Sequence, residues 1–287
     1  MDCDDLLADW SGARQIELAP GFPGLELTSP AMRAVISLYG AQLLEYSPSG
    51  QAPLLYLSPR ARFEAGRAIR GGVPLCWPWF GANIPEPDQP AHGVARLSRW
   101  ALTRLERDGT LFHVELSGPA WRGLEPVIRF ELGDGIGIRL STLNRSDRPL
   151  PLGSALHSYF AVGDARRARV TGMAGRDFDD KVTGTRGRYV DEPQCFGGEV
   201  DRIVYTGGEL VLRDPDNRRR IRIATSGSAS AVIWNPGAER CAAFGDLEPD
   251  AWTRFVCIET ANAGDDVRRL DPGENHTLGC RIRHEPD

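Results

Sequence analysis

A carboxylate set inside an apolar β run is the first residue of this sequence that asks for a chemical explanation. Glu259 follows Phe255, Val256, Cys257 and Ile258, and taking an unpaired charge out of water is expensive. Such a group is either paired structurally or kept for a site; the residues alone leave both open. His157, in LPLGSALHSYFAVGD, is flanked by Ala155, Leu156, Tyr159 and Phe160. A histidine in that company is commonly a satisfied core residue, yet an imidazole gives and takes protons near neutrality. The two form a candidate acid–base pair. Arg70 precedes Gly71 and Gly72, glycines that permit positive φ or a close backbone approach to a ligand. His92, Gly93 and Arg96 make a compact polar patch in AHGVAR. Arginine is the planar fork that suits phosphate. Asp201 heads EVDRIVY, where by itself a strand-start turn residue is the favoured explanation. Trp77, Trp79 and Phe80 supply flat faces able to hold a ring, although aromatics usually fill cores. Glu248, Asp250 and Trp252 in DLEPDAW fit a rim loop. There is no Ser-His-Asp ordering and no metal-ligand spacing, so no metal is expected.

The elements that must position these residues are short alternating runs. LELTS (25–29), RAVISLYG (33–40), QLLEYSP (42–48), TLFHVEL (110–116), VIRFEL (127–132), IGIRLSTLN (136–144), ELVLRD (209–214) and RIRIATS (220–226) are rich in Val, Ile, Leu, Thr and Phe. Gly133-Asp134-Gly135 and Asp216-Asn217 read as turns between such runs. The glycines at 133, 135 and 137 lack a following helix, so they read as a hairpin and not as a nucleotide loop. A short helix is expected over residues 3–11 and almost none beyond. Many strands with few helices predict an all-β sandwich. One stretch, 66–100, breaks the rhythm with Gly, Pro and Trp; an irregular segment of that length inside a compact domain is usually functional.

With 287 residues, 41% hydrophobic and 25% charged, the chain has the balance of a folded globular protein. No linker-like change of composition divides it, so one domain is expected over residues 1–287. The net charge of −5 argues against nucleic-acid binding. The local cluster Arg218, Arg219, Arg220 and Arg222, offset by Asp214 and Asp216, reads as a solvated strand edge. The six cysteines make no CxxC, the opening MDCDDLLADW lacks a basic-then-apolar leader, and no run of 18 apolar residues occurs. A reducing cytoplasm, no membrane contact and free thiols are therefore expected.

Six strings, taken together and in order, resemble the hexose-6-phosphate mutarotase (glucose-6-phosphate 1-epimerase) family of the aldose 1-epimerase, galactose-mutarotase-like superfamily. They are IRGGVPLCWPWFG (69–81), HGVARLSRW (92–100), ALHSYFAVGD (155–164), DRIVY (201–205), VIWNPG (232–237) and DLEPDAWTRFVCIETAN (246–262). The resemblance covers about residues 30 to 283. It implies a large twisted antiparallel β-sandwich with a sugar site on a concave face. It also implies His157 and Glu259 as the catalytic pair, Arg70, Arg96 and Asp201 as substrate contacts, and His92 as a residue lining the sugar. Trp77 or Trp79 would flank the ring. Relatives often carry Gln before the His-Gly pair, where this chain has Ala91, with Gln89 two residues earlier; the change bears on which sugar is preferred. The implied activity is cofactor-free exchange of the α and β anomers of a hexose 6-phosphate by a monomer. Three rivals stay open: an aldose 1-epimerase for free sugars, a non-catalytic sugar-phosphate binding protein, and a retaining glycosidase using Asp201 and Glu259.

Overall fold

The computed structural model describes residues 12–83 and 85–287; the helix expected over residues 3–11 lies outside them. Antiparallel strands dominate. Ala13–Ala19, Phe22–Thr28, Met32–Ser37 and Gln42–Pro48 form a four-stranded meander. A first eight-stranded sheet runs in the order Arg169–Thr171, Glu209–Asp214, Arg219–Ser226, Asn275–Pro286, Ile136–Asn144, Leu124–Leu132, Leu111–Ser117, Ala101–Asp108. A second sheet runs Thr185–Arg188, Asp177–Asp180, Val200–Val204, Ser230–Asn235, Phe255–Asn262, Ser154–Leu156, Leu75–Cys76, with Tyr159–Ala161 also paired to Phe255–Asn262. The one α-helix among the described residues is Gly237–Ala243.

The all-β expectation therefore holds, and much of its detail does too. Gln42–Pro48, Ile136–Asn144 and Glu209–Asp214 have the bounds read from the sequence. The hairpin at 133–135 closes with Leu132 opposite Ile136, and the one at 215–218 with Asp214 opposite Arg219. Residues 66–100 contain only the two-residue strand Leu75–Cys76 and the 3-10 turn Ala95–Leu97 as regular structure among those described. The five described cysteines are free. No helix among the described residues is long and apolar enough to cross a membrane.

One reading changes, and at the paired glycines one of two alternatives is selected. Arg219 is not part of a solvated edge: it is 4% exposed, pairs with the buried Asp214 at 3.1 Å, and donates to the carbonyls of Ala52, Pro53 and Ala161. A buried guanidinium needs that many acceptors because water no longer supplies them. Gly71 and Gly72 face protein rather than a ligand. A Cβ on them would lie 2.4 Å from the Tyr56 carbonyl oxygen and 2.3 Å from that of Leu43, and both have positive φ.

The strand Phe255–Asn262 shows why a carboxylate can sit in an apolar run. All eight of its residues are buried, but successive side chains point to opposite faces. Val256 and Ile258 enter the main core, between the large sheets, with Phe130, Ile138 and Leu212. Phe255, Cys257 and Ala261 enter a separate aromatic cluster with Tyr56, Tyr159 and Trp234. Glu259 shares the parity of the second set, so it opens on the face opposite the main core.

Candidate active site

Glu259 is placed by the register of the second sheet. Its strand pairs with Ser154–Leu156 through Leu156 opposite Thr260, and with Tyr159–Ala161 through Tyr159 opposite Cys257. Between these two short strands the ladder is interrupted, which leaves His157 and Ser158 across from Ile258 and Glu259. The His157 amide donates to the Pro74 carbonyl, so the irregular segment anchors the imidazole from its other side. The result is a direct contact, His157 Nε2 to Glu259 Oε1 at 3.3 Å, with His157 9% and Glu259 1% exposed. His157 Nδ1 and Glu259 Oε2 are buried with no hydrogen-bond partner. Orphaned buried polar atoms of this kind cost stability and are usually found where function requires them.

The surroundings push both groups toward their neutral forms. Burial, then His92, Arg96 and Arg70, hold His157 well below the ordinary imidazole value. Burial, then the nearby Asp201, hold Glu259 well above the ordinary carboxylate value, against the pull of Arg96. A neutral imidazole beside a neutral carboxylic acid holds one titrating proton between them. A charged imidazolium beside a carboxylate also holds one. The two arrangements differ only by a proton hop across 3.3 Å and belong to one coupled pair.

Aromatic rings orient the imidazole. Tyr159 stacks on it at 4.8 Å with 9° between planes, and Trp234 meets it edge-on at 5.8 Å. His92 approaches edge-on at 6.2 Å. Its backbone has positive φ, and the Gly81 amide donates to its Nδ1 at 3.3 Å. Burial, with Arg96 and Arg70 nearby, pushes His92 down to about 3, so the neutral ring carries its proton on Nε2 as a donor. Gly93 makes this turn possible: with φ of +78° it seats its backbone on Trp77, whose carbonyl oxygen would lie 2.0 Å from any Cβ. Asp201 lies in Val200–Val204, opposite Trp234, which is itself opposite Cys257. That register puts Asp201 on the same face as Glu259, two strands away. Burial raises the pKa of Asp201.

Beyond Tyr159 the site becomes strongly basic. A cavity of about 200 Å³ is lined by Arg62, Arg67, Arg70 and Arg96, with Tyr159 in its wall and Asp246 as its carboxylate. Arg70 is held in place: its Nε donates to Asp246 at 3.1 Å, its Nη1 to the Tyr159 hydroxyl at 3.1 Å, and its guanidinium covers the Phe244 ring. Arg96 donates from Nη2 to the Ala91 carbonyl at 2.8 Å, while its buried Nε has no partner. Arg67 pairs with Glu64, and Arg62 makes a long contact to the Gly245 carbonyl.

Of the residues singled out from sequence, His157, Glu259, Arg70, His92, Arg96 and Asp201 converge here. Trp79 does not. Around Pro78 the chain sends Trp77 into the core, where its indole donates to Thr142, and Phe80 against His92. Trp79 turns to the other side, donates to the Pro90 carbonyl and packs on Trp121 in a second cavity of about 410 Å³. The flat face beside the His157–Glu259 pair belongs to Tyr159, two residues after His157, with Trp234 edge-on. Tyr159, Trp234, Arg62 and Arg67 are the residues that sequence reasoning missed. The density of arginines in SPRARFEAGRAIR (58–70) was the available signal for the last two. Among the described residues no group of three His, Cys, Asp or Glu is placed to hold a metal ion.

The family model described as aldose 1-epimerase matches residues 23–283 of this chain. A protein of Salmonella typhimurium named "Putative glucose-6-phosphate 1-epimerase" is 38% identical over 245 residues, covering 82% of this chain and 81% of that protein. A protein of the same name from Escherichia coli K12 is 35% identical over 246 residues, covering 82% of each. Among solved structures, a "putative mutarotase" from Salmonella typhimurium superimposes with a TM-score of 0.89 at 29% identity, covering 96% of this chain and 94% of that one.

Proposed function

The chain belongs to the aldose 1-epimerase family, and from that premise we propose that it is a mutarotase interconverting the α and β anomers of hexose 6-phosphates. The observation that carries the substrate class is the four-arginine cavity, which shares the Tyr159 wall with the catalytic imidazole. A phosphate carries about −1.5 to −2 charges near neutrality, and charge-assisted forks are the strong way to hold it. A free sugar offers hydroxyls but no charge for such a cavity to pair with.

Ring opening needs a base for the C1 hydroxyl proton and an acid for the ring oxygen. Glu259 as carboxylate is the base and His157 as imidazolium is the acid. When the ring opens, the carboxylate gains a proton and the imidazolium loses one, so both become neutral. That is the state that burial of the pair favours. The dry site therefore assists the opening step by annihilating charge, and reclosure on the other face of the aldehyde restores the starting pair. General acid–base help of this kind contributes roughly 10²–10⁴. Arg70 and Arg96 bind the 6-phosphate; Asp201 and the Nε2–H of His92 hold sugar hydroxyls. We read residues 1–287 as one domain acting as a monomer in the cytoplasm.

The test is α/β exchange followed by NMR magnetisation transfer for glucose 6-phosphate, glucose and galactose, with and without protein. Exchange accelerated far more for the phosphosugar supports the proposal. Acceleration of free sugars alone would make the protein an ordinary aldose 1-epimerase. Binding without acceleration would make it a sugar-phosphate binding protein.

A further inference from the structure

We propose that Tyr159 is both a phosphate ligand and a positioning residue, its hydroxyl donating to the 6-phosphate while its ring holds the His157 imidazole. The inference rests on the hexose 6-phosphate reading above. Tyr159 is 2% exposed and sits between the two halves of the site. Its ring plane lies 9° from that of His157 at 4.8 Å. Its edge forms part of the arginine cavity. Its backbone is pinned on both sides, the amide donating to Gly72 and the carbonyl accepting from Tyr56.

The hydroxyl has one partner where it can have two. It accepts from Arg70 Nη1 at 3.1 Å, and no acceptor for its own proton is present among the described residues. Buried tyrosine hydroxyls normally find one. Asp246, the carboxylate in the cavity lining, bonds Arg70 Nε through Oδ2 and makes no hydrogen bond with the Tyr159 hydroxyl. Burial raises the phenol pKa, so the group stays protonated and able to donate. A phosphate oxygen entering a cavity lined by four arginines is the acceptor that this arrangement lacks. Arg70, donating into the phenol oxygen, polarises the O–H toward it. Phenylalanine would stack on His157 equally well, so stacking alone does not require the hydroxyl. The hydroxyl belongs to the anion and the ring to the imidazole, and one rigid side chain thereby ties phosphate occupancy to the orientation of the acid.

Two substitutions separate the roles. Tyr159→Phe keeps the stack and removes the donor; Tyr159→Leu removes both. Each is assayed by magnetisation transfer on glucose 6-phosphate, with inorganic phosphate as competitor and its binding measured directly by calorimetry. For Tyr159→Phe the KM for glucose 6-phosphate and the Kd for inorganic phosphate both rise about 10- to 150-fold, the range of a hydrogen bond to a charged group, while kcat changes much less. Tyr159→Leu lowers kcat as well, because the imidazole loses the face that fixes it. Wild-type KM and phosphate Kd in Tyr159→Phe would overturn the inference, as would a loss of kcat at constant KM. If the wild-type protein does not accelerate glucose 6-phosphate exchange, the mutarotase proposal fails by itself. The calorimetric comparison with inorganic phosphate still decides the role of the Tyr159 hydroxyl.

Discussion

Replacing Arg96 by Ala isolates the phosphate contribution when it is read as a ratio between two substrates, because the field of Arg96 on His157 and Glu259 acts on both alike. The Arg96 guanidinium makes one internal hydrogen bond, Nη2 to the Ala91 carbonyl, and leaves its buried Nε unpaired. Losing the bond to Ala91 costs about 1 kcal/mol of stability, which a folded protein of this size tolerates. Losing a hydrogen bond to a charged phosphate costs about 1.5–3 kcal/mol, and each 1.4 kcal/mol is a factor of ten. The ratio of kcat/KM for glucose 6-phosphate to that for glucose should therefore fall about 10- to 150-fold in Arg96→Ala, with most of the change in KM. Using the ratio removes any general loss of active enzyme. The same substitution at Arg70 would be harder to interpret, because Arg70 also pairs with Asp246, bonds Tyr159 and covers Phe244. An unchanged ratio in Arg96→Ala, with both substrates losing turnover equally, would refute the assignment of this arginine to phosphate.

Two further substitutions probe the buried charges. Glu259→Gln should lower turnover by about 10²–10⁴, and normal exchange rates in the variant would remove Glu259 from the mechanism. The same variant should gain stability relative to wild type as pH rises. The folded-state pKa of Glu259 is raised, so above the ordinary carboxylate value the native protein holds a proton that the unfolded chain has released. Wild-type stability then falls with pH through that window, while Gln does not titrate. Thermal melts of both proteins from pH 5 to 8 measure this, and a constant difference in Tm across the range would contradict the raised pKa. Arg219→Met should destabilise the fold by about 3–5 kcal/mol in urea unfolding, because it takes the cation from the buried Asp214, which keeps only the donors of Gly163 and Asn217, and the donors from three carbonyls; a loss below about 1 kcal/mol would mean that this clamp is dispensable.

Strand content and several strand bounds were legible because period-2 alternation and Gly or Asp turns are local signals. Glu259 stood out for a different reason: it violates its apolar context, which leaves a structural and a functional role open, and only the resemblance of the ALHSYF and CIETAN strings to a known family pairs it with His157. The side to which each aromatic turns was not legible. Trp77, Trp79 and Phe80 are within four residues of one another yet face the core, a second cavity and His92 respectively. No periodicity governs an irregular segment, so composition cannot assign its faces. The solvated-edge reading of Arg219 failed similarly, because only the tertiary packing of residues 52–53 and 161 against it supplies its acceptors. Arg62 and Arg67 were missed because a loop rich in arginine looks the same whether its charges diverge into water or converge on a cavity.

The arginines that suit the cavity to phosphate also bear on the acid. Arg96 and Arg70, together with His92, oppose protonation of His157 in the empty site. Two charges of opposite sign to the arginines, brought into their cavity, cancel part of that opposition, so phosphate binding must raise the affinity of His157 for a proton. By the reciprocity of linkage, protonating His157 must tighten phosphate binding by the same factor. On the proposed mechanism the substrate thus brings with it the charge that restores the acid needed to open its ring, and an unphosphorylated sugar does not. Inorganic phosphate alone should reproduce the effect. Added to the protein across a pH series, it should move the titration of the His157 ring protons in NMR spectra, assigned by comparison with His157→Asn, toward higher pH. Chloride at matched ionic strength should not. A His157 titration indifferent to phosphate, in a protein that calorimetry shows to bind it, would separate the arginine cavity from the catalytic pair and leave it a binding feature only.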